Sequence, residues 1–285
     1  MAQLHSLDHA GLIHLPVGLW MEGMPQREAV LQDLRGRDEE RIADASRWPS
    51  TAARVSALLT ATLRGIGQIA PVDLEHVRAL AVLDRDILLV ALRRRLFGDR
   101  IVSTIRCPEE NCGKLVDIEF KLGDLQLPER TESRPAYACQ IGGRQVTLRL
   151  PNGADQESVA ARARVDPEQA SRLILGRCVD HFDDLASSQV EQLVIEMARL
   201  DPQLDTEFAA RCPECGQDFT VHFDIQDFLL REISAAGDHL YRQVHTLAWY
   251  YHWGEAEIMA MPTQKRRLYI KMLSDMVSEA EQVIA

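Results

Sequence analysis

Two cysteine-containing segments of this chain repeat each other, and the repeat constrains the fold more than any other feature of the sequence. They occupy residues 106–113 (RCPEENCG) and 211–216 (RCPECG). With a gap opposite residues 110–111, the alignment continues to Leu127 and Leu230, and 9 of its 20 positions are identical. Each segment, which we call a knuckle, lies between two strand-like patterns, so the repeat predicts two similar hairpins.

The spacing of the four cysteines predicts one shared metal site. Cys212 and Cys215 precede Gly216 in the arrangement of a zinc knuckle, whose turn directs backbone N–H groups toward the sulfurs while glycine permits a positive φ. Cys107 and Cys112 form the same device with two residues inserted. Two ligands from each knuckle complete a tetrahedral set of four thiolates. We therefore predict one structural Zn²⁺, with no open position for a catalytic water.

The composition indicates a cytoplasmic globular protein that binds other proteins. At 285 residues the chain is long enough for one large or two ordinary domains. No apolar run reaches the roughly 18 residues of a membrane span, and residues 1–14 do not resemble a signal peptide. In such a chain, paired cysteines more often hold metal than form disulfides. The net charge of −11 argues against nucleic acid as a partner, since phosphate binding relies on concentrated Lys and Arg.

Hydrophobic periodicity predicts an α+β fold that is mainly helical and carries several β-hairpins. The predicted hairpins cover residues 12–34, 101–120, 138–150 and 205–223. The main predicted helices cover residues 38–47, 51–63, 84–97, 156–164, 166–175, 187–200, 227–251, 254–258 and 263–278. A polar, proline-bounded stretch at 127–135 predicts a linker between an N-terminal half (1–127) and a C-terminal half (136–285). The two knuckle hairpins would then join these halves through a zinc-ribbon-like clasp of four cysteines.

The sequence contains none of the familiar catalytic motifs, such as a P-loop, a dinucleotide fingerprint or His-Glu-x-x-His. The strongest candidate for a catalytic cluster is DHFDD at residues 180–184, but it lies between helical patterns and is predicted to be a solvated loop. The alternative is a hydrolase that uses Asp180, His181 and Asp183, and it requires a concave pocket at this place. Other histidines are interpreted as individual packing or surface residues: His239, His245 and His252.

Several further side chains have two possible interpretations. His222 follows the second knuckle, either as a neighbour of the metal ligands or as an exposed strand residue. Cys139 and Cys178 are predicted to be small buried hydrophobes. The aromatic residues at 249–253 (WYYHW) predict either a core anchor or a protein-contact hot spot. Arginine and lysine clusters at 93–95 and 265–267 fit a solvated helix face or an acidic partner.

The order and spacing of several motifs resemble a known family. These motifs are LRGRDEE at 34–40, DRDILL at 84–89 with LFGDR at 96–100, the two knuckles, and WGEAEI at 253–258. From about residue 15 to 270, the chain resembles the T4-type bacteriophage baseplate protein family, which also occurs in phage-tail-like contractile injection systems. The first knuckle departs from the family's usual Cys-x2-Cys by its two inserted residues.

The resemblance implies a baseplate hub component or hub assembly chaperone with no enzymatic activity. Its partners would be other baseplate or hub proteins, with no nucleic acid, membrane or small-molecule substrate, and it would either stay in the assembled particle or leave it. The alternative is a zinc-ribbon nucleic-acid-binding or transcription-associated protein that uses Arg106 and Arg211 as contacts. Acidic residues around the knuckles would repel phosphate: Glu109, Glu110, Glu119, Glu214, Asp218 and Asp224.

Overall fold

The computed structural model describes residues 2–3, 11–127, 133–201, 204 and 207–284. The strands are β1 (Ala2–Gln3), β2 (Leu12–Met21), β3 (Met24–Leu31), β4 (Leu63–Ile66), β5 (Arg100–Arg106), β6 (Leu115–Lys121), β7 (Gln126–Leu127), β8 (Tyr137–Ile141), β9 (Arg144–Leu148), β10 (Glu207–Arg211) and β11 (Asp218–His222). The helices are α1 (Gly36–Ala43), α2 (Thr51–Thr62), α3 (Leu74–Ala79), α4 (Val82–Phe97), α5 (Gly153–Ala163), α6 (Pro167–Cys178), α7 (Ser187–Leu200), α8 (Ile225–Tyr251), α9 (Glu255–Ala260) and α10 (Thr263–Ile284).

These elements confirm the predicted α+β class, with helices predominating over small antiparallel sheets. The β2–β3 hairpin gains a third strand, β4, which the sequence did not predict because Leu63 had been assigned to the preceding helix. Residues 128–132 of the predicted linker lie outside the described residues. The division into halves 1–127 and 136–285 therefore stays a prediction. In the described part of the chain, no helix combines the length and apolar character of a membrane span.

Helix α4 lies at the centre of the main core. Ile87, Leu88 and Leu92 on this helix have no exposed surface, as expected from its nearly continuous apolar sequence. The same core contains side chains of the β2–β4 sheet, of α2 and of the first turns of α8. A second core forms where the β8–β9 hairpin packs on α6 and α7, and a third joins the second half of α8 to α9 and α10.

Two buried ion pairs tie α4 and α10 to the rest of the molecule. Arg93 on α4 donates from two nitrogens to the carboxylate of Glu232 on α8, at 2.9 and 2.8 Å. Arg266 on α10, only 1% exposed, pairs with Glu39 on α1. Both arginines belong to the clusters predicted to face solvent or an acidic partner. For these two, the partner lies within the same chain and the solvated interpretation is wrong, whereas Lys265 is exposed.

Candidate metal centre

Each knuckle is the loop of a two-stranded hairpin. The first connects β5 to β6, and the second connects β10 to β11. The two loops close with equivalent backbone bonds: Cys107 N–H donates to Lys114 C=O at 2.8 Å, and Cys212 N–H donates to the C=O of Gln217 at 2.9 Å. The glycine after each second cysteine has a positive φ, as the knuckle pattern predicts.

The two inserted residues enlarge the first loop without changing its closure. The C=O of Glu109 accepts from the backbone N–H groups of Cys112 and Gly113, at 2.9 and 3.1 Å. In the shorter second loop, Gly216 N–H donates to Cys212 C=O at 2.9 Å. Gly113 and Gly216 have φ values of 54° and 76°, which side chains rarely allow. The glycines therefore permit both loops to turn their second cysteine back toward the first.

The arginine before each knuckle closes its own loop. Arg106 Nη1 donates to the C=O of Gly113 at 2.6 Å, and Arg211 Nε donates to the C=O of Gly216 at 3.1 Å. The repeat of Arg and Gly in the sequence thus corresponds to a repeated side-chain contact. Sequence reasoning considered these arginines only as contacts of a nucleic-acid-binding alternative and missed this role.

The four thiols converge although about 100 residues separate the knuckles. The Sγ atoms of Cys107 and Cys215 are 3.8 Å apart, and those of Cys112 and Cys212 are 3.7 Å apart. All four sulfurs lie within 4.8 Å of one another. A tetrahedron with metal–sulfur bonds of about 2.3 Å has edges of about 3.8 Å. The thiol set therefore has the size that a tetrahedral metal ion requires.

Backbone N–H groups lower the pKa of the two buried thiols, whereas burial raises it. The N–H of Glu109 donates to the Cys107 sulfur, but burial and the neighbouring thiols outweigh it and raise the pKa of Cys107 to about 12. The pKa of Cys212 falls to about 7, first through the N–H of Cys215 and then through that of Glu214, against the effect of burial. One thiolate disfavours another at this distance, so four thiolates need a cation among them.

Aromatic rings join the two hairpins at the end away from the thiols. Phe120 stacks on Phe208 with ring centroids 4.3 Å apart, and its edge contact with Phe223 has a centroid distance of 5.0 Å. Phe228, at the start of α8, continues this cluster at 5.2 Å from Phe223. Within the described residues, the two hairpins share no strand pairing. The contacts described between them are made by side chains, with sulfur at one end and phenyl rings at the other.

The other candidate residues lie apart from this centre. His181 is 77% exposed, and its Nδ1 is 3.9 Å from a carboxylate oxygen of Asp184, which is 60% exposed. Asp180 and Asp183 are exposed as well, which agrees with the predicted solvated loop and not with the concave pocket that a hydrolase requires. His222 pairs with Glu207 at 3.3 Å on the hairpin end farthest from the thiols.

The remaining predicted residues divide between core and surface. Cys139 and Cys178 are buried as predicted, and burial raises the pKa of Cys178 to about 12, with Asp155 adding to the effect. Tyr251 and Trp253 stack at 4.5 Å and anchor the third core. The neighbouring Trp249 and Tyr250 are exposed, so the WYYHW segment contains both an anchor and a surface patch. The three histidines interpreted as packing or surface residues are exposed: His239, His245 and His252.

The match to a known family covers the centre of the chain. The model of the T4 bacteriophage base plate protein family matches residues 66–230, more than half of the sequence, and this range includes both knuckles and their hairpins. Searches of curated proteins and of solved structures gave no match. The matched range also includes the DRDILL and LFGDR motifs, whereas the motifs at 34–40 and 253–258 lie outside it. The chain belongs to the T4 bacteriophage base plate protein family.

Proposed function

We propose that this baseplate protein is a non-enzymatic hub component or hub assembly chaperone of a contractile phage tail or a phage-tail-like injection system. The family match over residues 66–230 is the observation that carries the proposal. Its partners are other baseplate or hub proteins, which it meets in the bacterial cytoplasm during assembly. Asp180, His181 and Asp183, the residues of the hydrolase alternative, are exposed to solvent, which supports a role without catalysis.

Mass spectrometry of purified particles and deletion of the gene test this role. We expect deletion to prevent baseplate assembly while sheath and tube proteins are still produced, because the loss affects the platform on which they assemble. Normal particles from the deletion strain would refute the role. The same preparation distinguishes the two forms of the proposal: a component remains in the finished particle, and a chaperone is found only with assembly intermediates.

We further propose that the four thiols hold one structural Zn²⁺. The sulfur–sulfur distances of 3.7 and 3.8 Å fit tetrahedral Zn–S coordination, and four cysteines leave no site for a reacting water. Cys107 and Cys212 are only 2% and 1% exposed, so a bound ion would be shielded on one side. The ion would connect two hairpins that share no strand pairing within the described residues.

Metal analysis of the full chain, purified under reducing conditions, tests the shared site. We expect about one zinc per chain, and we expect Cys212→Ser to lose it. Cys178→Ser is the matched control, because Cys178 is also buried but lies in the second core. Two zinc ions per chain, or none, would refute a single shared site.

The alternative of a zinc-ribbon nucleic-acid-binding protein has less support. Arg106 and Arg211, its proposed contacts, donate to carbonyls of their own loops. Three exposed carboxylates lie at the knuckles, namely Glu110, Glu214 and Asp218, whereas Glu119 and Asp224 lie at the other end of the hairpins. A DNA pull-down at low salt distinguishes the two functions, since tight and salt-sensitive binding would favour the alternative.

A further inference from the structure

The outer face of α10 carries an apolar ridge that is more than half exposed. Leu268, Met272 and Met276 are 57%, 53% and 53% exposed and follow each other at four-residue intervals. The opposite face holds the helix in place through the buried side chains of Arg266 and Leu273. Eight residues of helix rise by about 12 Å, so the ridge spans that length. Apolar side chains that adjoin one another on a surface, instead of being scattered singly, mark a place of contact with another molecule.

The charges of α10 are segregated along its length. Its four basic residues all lie in residues 263–271, and its three acidic residues all lie in residues 272–284. The exposed charges follow the same order, with Lys265 and Lys271 in the basic half and Asp275 in the acidic half. This order is the reverse of the one that a helix dipole favours. An identical helix that runs in the opposite direction would place an acidic half beside each basic half and would oppose the two dipoles.

Two of the exposed charges lie directly beside the ridge. Lys271 and Asp275 each precede a ridge methionine by one residue, so both line the same side of the ridge. In an antiparallel pair of helices related by a two-fold axis, this side of one helix faces the same side of the other. When the axis passes close to Met272, Lys271 of each copy lies opposite Asp275 of the other, and Leu268 lies opposite Met276. The outer face of α10 therefore has the self-complementarity that a two-fold interface requires.

We propose that this protein forms a two-fold symmetric dimer in which α10 packs antiparallel against α10 of a second copy. Ridges of residues four apart pack together in the commonest class of helix contact, and flexible methionines adapt well to one another. The same patch is used on both copies, so the contact closes at two. Two helices that touch over about three turns bury less than about 1,200 Å², an area typical of weak contacts, and we therefore expect a dissociation constant in the micromolar range.

Substitutions at the two-fold axis and beside it test this contact. Met272→Glu places two carboxylates against each other at the axis. Lys271→Asp and Asp275→Lys each turn both symmetry-related ion pairs into repulsions. Ile195→Glu is the matched control, because Ile195 is 72% exposed on α7, outside the proposed contact. Sedimentation velocity of the full chain at low salt, across the micromolar range, measures dimerisation, while circular dichroism and thermal unfolding identify any variant that has lost its fold.

The wild type and Ile195→Glu should dimerise to the same extent, and each of the three α10 variants should dimerise at least about tenfold more weakly. An equimolar mixture of folded Lys271→Asp and Asp275→Lys should form heterodimers, since opposite charges meet at both pairs when these two variants combine. A wild type or a mixture that stays monomeric would overturn the proposal, and so would Met272→Glu that dimerises as the wild type does. Wild-type oligomers larger than a dimer would reveal a contact that does not close and would overturn it too.

Discussion

Gly153 faces the most deeply buried arginine of the described residues, and Gly153→Ala measures how tightly that arginine is held. Arg85 on α4 has no exposed surface. Its guanidinium donates to Val77 C=O at 3.0 Å, to Ala52 C=O at 3.1 Å and to Ser56 Oγ at 3.0 Å. A Cβ on Gly153 would lie 2.2 Å from Nη1 and 2.6 Å from Cζ of Arg85. The guanidinium must therefore move to make room, and this movement breaks at least one of its hydrogen bonds.

The expected cost follows from these contacts. Losing one hydrogen bond of a charged group costs about 1.5–3 kcal/mol. Overpacking of a buried site adds about 1–3 kcal/mol. We expect Gly153→Ala to lower the free energy of unfolding by about 3 kcal/mol and the melting temperature by about 6 °C. Because alanine suits a helix better than glycine, propensity alone would predict a gain at this first residue of α5.

Urea unfolding followed by circular dichroism and tryptophan fluorescence measures the effect. Gly254→Ala is the matched control, because its added Cβ would meet only the Glu257 carboxylate at 3.7 Å and its φ is −70°. We expect it to cost less than about 1 kcal/mol. In an Arg85→Met background, Gly153→Ala should lose most of its effect. If Gly153→Ala is as stable as Gly254→Ala, the reasoning about the buried guanidinium is wrong.

Three further predictions concern charge, ring packing and metal. Burial, with the Asp224 carboxylate adding to it, raises the pKa of Asp86 from 3.8 to about 7, against the effect of the Gln226 amide. The contribution of this raised pKa to the free energy of unfolding is complete below pH 3.8 and is lost as the pH rises to about 7. Asp86→Asn should therefore make the free energy of unfolding depend less on pH over this range. An unchanged pH dependence would contradict the shift. Phe120→Ala should cost about 3 kcal/mol, the low end for a phenylalanine because the ring is only partly buried, and it should increase amide hydrogen exchange in both knuckle hairpins; an effect confined to β5–β6 would exclude the ring connection. Removal of the proposed Zn²⁺ with a chelator should make the four knuckle thiols reactive to a thiol reagent, while Cys178 stays unreactive and the helical circular dichroism is retained; knuckle thiols that react equally before chelation would contradict the bound ion.

The sequence predicted the parts of this fold that local patterns encode. The two knuckles, their glycines and the Gly142-Gly143 hairpin were predicted because turn chemistry depends on a few adjacent residues. The order of the helices followed from periodicity. The convergence of the four thiols was predicted as well, because each knuckle supplies only two of the four ligands of a tetrahedral site and the two knuckles share the same local sequence.

Contacts between distant buried polar groups were not predicted. Arg93 and Glu232 are far apart in the chain, and periodicity marks both only as polar residues on helices. The carboxylate of Asp84 was interpreted as part of a helix start. In the structure it is fully buried and accepts from the backbone N–H groups of Val17 and Gly18, at 3.0 and 2.7 Å, where the β2–β3 pairing is irregular. Such pairs depend on tertiary packing, which a local pattern does not contain.

The distance along the chain between the knuckles also determines when, during protein synthesis, the four-cysteine site can form. Protein synthesis at about 5–20 residues per second separates the two thiol pairs by roughly 5–20 s, since about 100 residues lie between Cys112 and Cys212. During this interval the nascent chain offers only two of the four ligands. Tight zinc uptake, on the assignment proposed above, must wait until the helices made in between have folded and brought the pairs together. Metal loading would then report that synthesis and folding of the middle of the chain are complete.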